Sequence, residues 1–225
     1  MTRTHWAAVT AVVLALLFAG AATVASAGDG TTAADRTPTG ASADAGFARD
    51  MSVHHQQAVE MSFVVRERTE NDEVRRLAYD IANTQANQRG MMLGWLDLWG
   101  LPKLDADAEP MDWMSAGADG ASGHSGHGGG HEAGDGDGDG PLMPGMATKA
   151  EVEQLSRLSG KQAEILYLQL MIIHHNGGIA MAKGCVDRCE VRVERDLAQG
   201  MVDAQASEVE LMVNMLRKRG AQPRT

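Results

Sequence analysis

From residue 47 onward, apolar positions recur with a helical period in four segments. Phe47, Met51, His54, Ala58, Met61 and Val65 alternate steps of four and three, which places them on one helix face. Leu77, Ile81, Gln85, Gln88, Met92, Trp95 and Trp99 follow at steps of three or four on a second helix. Glu70-Asn71-Asp72 are breaker and cap residues, so the turn between the two is expected near Thr69–Asp72. The pattern returns with Tyr167, Met171, His174, Gly178, Met181 and Cys185, then Leu197, Met201, Gln205, Glu208, Met212 and Met215. Thr148 and Glu151 have capping-box spacing and predict a short helix over 148–158.

The two halves are copies. A shift of 120 residues lays Met51-Ser-Val-His54-His55 on Met171-Ile-Ile-His174-His175, Met61 on Met181, Gln85 on Gln205, Met92 on Met212 and Gly100 on Gly220, without a gap. Residues 47–100 and 167–220 are therefore two helical hairpins, each with one apolar stripe per helix. The pattern predicts an all-α four-helix bundle spanning 47–220. The stretch between them, 101–147, is rich in Gly, His, Asp and Met and is expected to be a disordered insertion. Residues 28–46 read as a flexible tether.

Residues 1–27 have the form of an export signal: Arg3, an apolar run from Trp6 to about Val24, and Ala25-Ser26-Ala27 before Gly28. Cleavage there would release the protein to the cell-envelope side or the exterior; left uncleaved, the run is long enough to anchor it in a membrane. The formal charge of −10 argues against a nucleic-acid partner. No phosphate-binding loop, nucleotide motif or activated nucleophile points to a small-molecule substrate.

Composition adds fourteen methionines against three Phe, four Trp and two Tyr. Methionine usually fills irregular core space, and Met201 and Met215 are read so. Met51, Met61, Met92, Met171, Met181 and Met212 instead fall at matched positions beside paired histidines. His54, His174, Gln85, Gln88, Gln205 and Glu208 also lie on the apolar stripes, where an unpartnered polar group costs about 1–3 kcal/mol. Both helices of a hairpin rise equally from the turn. His54 is thus expected level with Gln88, and His174 with Glu208, and both sets should converge in the bundle. Imidazole with thioether favours Cu(I) or Ag(I). The metal donors read from the sequence are Met51, His54, His55, Met61, Met92, Met171, His174, His175, Met181 and Met212. Gln85, Gln88, Gln205 and Glu208 would hydrogen-bond and orient them. A di-iron site needs more carboxylates than Glu60 and Glu208.

His124, His127 and His131 in the Gly-rich insertion are candidates for auxiliary metal capture; a solvated linker is the plainer reading. Cys185 and Cys189, one helical turn apart, leave both a disulfide and thiolate ligation open.

F-x3-M-x2-H-H-x2-A-x2-M at 47–61, L-M-I-x-H-H-x-G-x-I-x-M-A at 170–182 and Q-x-x-E-x3-M at 205–212 resemble the domain-of-unknown-function 305 family. Met143-Pro144-Gly145-Met146 adds to the likeness. The resemblance implies a ferritin-like fold, export, and, as in some members, copper and silver binding by the histidines and most of the methionines above. Gln88 departs from the family's acid, which Glu208 keeps. The expected function is sequestering or relaying Cu(I), without catalysis. A structural or interaction bundle with buried His–Gln and His–Glu bonds, and less so a ferritin-like oxidase, are the alternatives.

Overall fold

The computed structural model describes residues 37–106, 108–115 and 140–224. The signal-like segment 1–27 and His124, His127 and His131 lie outside the described residues. Helix α1 (Ala43–Arg66) and α2 (Asp72–Leu98) form the first hairpin, and α5 (Gly160–Arg188) and α6 (Arg192–Lys218) the second. Two short helices, α3 (Asp112–Ser115) and α4 (Lys149–Arg157), lie between them in sequence. All described secondary structure is helical, and the hairpins make the expected ferritin-like four-helix bundle. None of the described helices is long and apolar enough to cross a membrane.

Local sequence sets each helix end. Asn71 Oδ1 accepts from Glu73 N and Val74 N, both at 3.1 Å, and so starts α2. Thr148 and Glu151 form the full capping box of α4. Gly100 and Gly220, 120 residues apart, have φ of 68° and 69°. At each, the following N–H reaches back to Leu96 O and Leu216 O, which ends α2 and α6 in the same way.

The hairpins meet mainly through α1 and α5. These run antiparallel: Thr69 bonds Glu164, Ser62 bonds Tyr167, and His174 bonds His54 O. The apolar core therefore falls into two clusters on either side of the histidines. One gathers Met61, Ile81, Tyr167, Met171 and Met212; the other gathers Phe47, Met51, Met92, Met181 and Met201. Full burial of each such side chain contributes roughly 1.5–3 kcal/mol.

Two boundaries read from the sequence are corrected. The first helix starts at Ala43, not Phe47, because Ser42 Oγ accepts from Ala45 N at 3.2 Å and caps it. The described ends of the insertion are folded onto the bundle. Asp50 Oδ2 accepts from Met111 N at 2.7 Å and from Trp113 Nε1 at 2.9 Å. The Trp113 ring packs edge-on against Phe47 with centroids 5.7 Å apart. Gly46 makes that fit possible, since a Cβ there would stand 2.5 Å from Trp113 Cβ. Gly46→Ala is thus expected to lower stability by about 1–3 kcal/mol through overpacking. Gly90→Ala, with open space around it, should gain up to about 1 kcal/mol from helix propensity. Chemical denaturation of the two variants checks the contrast.

Candidate metal centre

All four histidines of the repeat are fully buried. His54 from α1 and His174 from α5 meet at the helix crossing, with ring centroids 3.8 Å apart and planes inclined at 34°. His55 and His175 turn toward their own hairpins instead. Every Nε2 faces an oxygen. For His54 it is Pro144 O at 3.3 Å, for His174 His54 O at 3.0 Å, for His55 Gln88 Oε1 at 2.9 Å, and for His175 Glu208 Oε2 at 2.7 Å. A carbonyl or carboxylate oxygen only accepts, so each Nε2–H donates and each Nδ1 keeps its lone pair. All four Nδ1 atoms are buried without a hydrogen-bond partner. An imidazole whose far N–H is tied to an oxygen is the usual state of a metal-ligating histidine.

Burial keeps the rings of His54, His55 and His174 neutral. It pushes His54 down to about 4 and His55 to about 3, against a bond from Pro144 or Gln88 that acts weakly the other way. His174 is lowered well below its ordinary value by burial first and then by His54. Neutral imidazole is the form that binds a metal.

The six matched methionines are all fully buried. Met61, Met171 and Met212 belong to one apolar cluster, and Met51, Met92 and Met181 to the other. Each trio joins two methionines of one hairpin to one of the other, so thioethers flank the histidines on both sides. The loop at Met143–Met146 lies over the crossing. Gly145, with φ of 82°, and Gly177 let it approach: a Cβ on Gly177 would stand 2.1 Å from Pro144 O. Gln57 fixes the loop's far end through Ala147 N and O at 2.7 and 2.8 Å. Gln85 is buried with neither side-chain polar atom bonded, and Gln205 Oε1 is likewise unpaired.

Two expectations need correction. The partners of Gln88 and Glu208 are His55 and His175, not His54 and His174. Equal height along the hairpin does not fix direction around the helix, and adjacent residues point about 100° apart. The full convergence of both histidine sets is also absent. His54 and His174 stack, but no three histidine, cysteine or carboxylate donors of this layer lie within 4.8 Å of one another among the described residues. Glu60 is exposed and outside the site.

Some residues escaped the sequence reading. Asp44 Oδ1 accepts from Glu190 N and Val191 N at 2.9 and 2.8 Å, bracing the second hairpin's turn. Glu164, its counterpart 120 residues on, accepts from Thr69 Oγ1 and Arg219 Nε, both at 2.6 Å, bracing the first. The repeat extended three residues upstream would have shown the pair. Cys185 and Cys189 are joined as a disulfide with Cα atoms 4.8 Å apart.

The profile of the family described as domain of unknown function (DUF305) matches residues 44–216. The chain belongs to the DUF305 family. A DUF305 protein of Streptomyces coelicolor, described as a candidate secreted protein, is 57% identical. That match covers 83% of this chain and 99% of the other, with a TM-score of 0.70. A DUF305 fragment from Deinococcus radiodurans is 29% identical over 78% of this chain and 96% of its own, with a TM-score of 0.58. CopM in a Cu(I)-bound form is 18% identical over 78% of this chain and 96% of its own. Its TM-score of 0.53 speaks to a shared fold. No curated protein matches the chain.

Proposed function

We propose that this DUF305 protein is exported and binds Cu(I), or Ag(I), at the histidine layer, holding or relaying the ion without a chemical reaction. The carrying observation is the set of four buried Nδ1 lone pairs, each on a ring whose Nε2–H is already tied to an oxygen. Six buried thioethers flank them. Soft, low-coordinate Cu(I) suits such a donor set better than zinc, whose usual ligands are thiolate, imidazole and carboxylate. That CopM has Cu(I)-, Cu(II)- and Ag-bound forms agrees with the reading. Glu208, bonded to His175, would orient that ring and strengthen its Nδ1 as a ligand, whereas neutral Gln88 would do less for His55. Export rests on the signal-like segment and on the description of the Streptomyces relative.

Anaerobic Cu(I) titration of the purified protein tests the proposal. His54→Ala with His174→Ala is expected to weaken binding by roughly a hundredfold or more, about 2.7 kcal/mol. Met51→Leu with Met171→Leu keeps core volume and should also weaken Cu(I) while the chain stays folded. Unchanged affinity in both variants would refute the site, and a purely structural bundle would give that result.

A further inference from the structure

The turn of the second hairpin holds a group that the histidine layer does not use. Cys185 closes α5, Cys189 follows it, and Glu194 stands in the first turn of α6. All three are buried, Glu194 completely. The two sulfurs and a Glu194 oxygen lie within 4.8 Å of one another. Among the described residues no N–H reaches either Glu194 oxygen. Its side-chain partner is a second carboxyl, Asp44; burial first, then the charge of Asp44 and a carboxyl–carboxyl hydrogen bond to it push Glu194 up to about 10.

The repeat supplies the comparison. The same corner of the first hairpin is built from Val65, Thr69 and Val74, each 120 residues earlier. Val65 and Val74 are fully buried there. A corner of this shape therefore needs only Val, Thr and Val. In the second hairpin all three positions carry a metal-ligand type, and the three donors converge. A stapling disulfide would explain the two cysteines, but not a buried acid beside them whose side-chain partner is another acid.

We propose that this corner is a redox-gated metal site, closed by the Cys185–Cys189 disulfide and, once reduced, taking a zinc-class divalent cation on Cys185, Cys189 and Glu194. An external dithiol would give two electrons and two protons to the disulfide and become a disulfide itself. The two thiols and the Glu194 carboxylic acid then release three protons as the cation binds. The carboxylate oxygen in the set selects a borderline cation such as zinc over Cu(I), which prefers sulfur throughout. Glu194 lies in the first turn of α6, where the helix dipole favours anionic ligands.

Cobalt(II) is the probe, added anaerobically to the full chain before and after reduction. The reduced protein should bind one cobalt per chain with a thiolate-to-cobalt charge-transfer band that zinc removes; the oxidised protein should show no such band. Cys185→Val, Cys189→Thr and Glu194→Val together rebuild the first hairpin's corner, so the chain should fold, lose the band and keep its Cu(I) binding. Glu194→Gln should bind cobalt more weakly by more than the roughly 10–100-fold typical of losing a ligand's hydrogen-bonding partner. Absence of the band in reduced protein, or unchanged cobalt affinity in Glu194→Gln, overturns the proposal.

Discussion

Acidifying the metal-free protein from pH 7 to pH 5 should remove several kcal/mol of its stability. The folded chain holds His54 and His55 neutral down to about 4 and about 3, and His174 is also lowered well below the usual 6.5. Unfolding frees all three to take protons below pH 6.5. In that window the unfolded state binds more protons, so stability falls as pH falls and levels off only when the folded rings protonate. By pH 5 each ring costs about 2 kcal/mol, or roughly 6 for the three. Glu194 acts in the opposite sense. Its folded acid is protonated while its unfolded one, near 4.5, is not. Acidification therefore relieves its penalty by about 2 kcal/mol over the same interval, leaving a net loss of about 4. The exposed Glu73 carboxylate, lowered by Lys218, is screened by solvent and matters little here.

A domain of this size has only about 5–15 kcal/mol to lose, so acid unfolding should become visible near pH 5. Denaturant midpoints between pH 7 and pH 5, with proton uptake measured on unfolding, check the expectation. A flat profile would contradict it. Bound Cu(I) stabilises the folded state by mass action and competes with protons for the rings. Saturating metal should move the acid transition to lower pH.

The shift of 120 residues carried most of the fold into view, because M-x-x-H-H and the glycine helix ends survive in both copies. Periodicity places residues on a face and at a height, which was enough to bring His54 and His174 into the core. It could not assign the hydrogen-bond partners, because His54 and His55 differ by only about 1.5 Å in height and by about 100° in direction. That difference sends His54 across to α5 and His55 back to Gln88 on α2. Trp113 was hidden for another reason. A single aromatic in a Gly- and Asp-rich stretch has no period, and its slot exists only because Gly46, sixty-seven positions earlier, lacks a side chain. Glu194 stands three residues before Leu197 and seven before Met201, on the stripe itself, but an acid in a first helical turn is ordinarily solvated there. Its counterpart Val74 agrees with the buried position.

Glu194→Val should therefore stabilise the oxidised protein, and more so as pH rises. Folding buries Glu194 as a neutral acid, whereas the unfolded chain ionises it above about 4.5. The folded state binds the extra proton, so stability falls as pH rises between those limits. At pH 7 the penalty is about 3 kcal/mol, and at pH 8 nearer 5, as order-of-magnitude figures. Valine carries no such penalty and fits this corner in the first hairpin, where Val74 is fully buried. The variant's gain should shrink to about 1 kcal/mol at pH 5 and reach several degrees in Tm or more at pH 8. The same variant should lose stability more steeply on acidification, because the histidines then act unopposed. Equal stability of the two proteins at pH 8 would show that Glu194 is ionised and compensated in the fold. If the gain appears, the corner holds a group that weakens the metal-free protein. A cation that replaces its proton would turn that cost into binding free energy, and thermal melts of the reduced wild type with and without zinc would show the reversal.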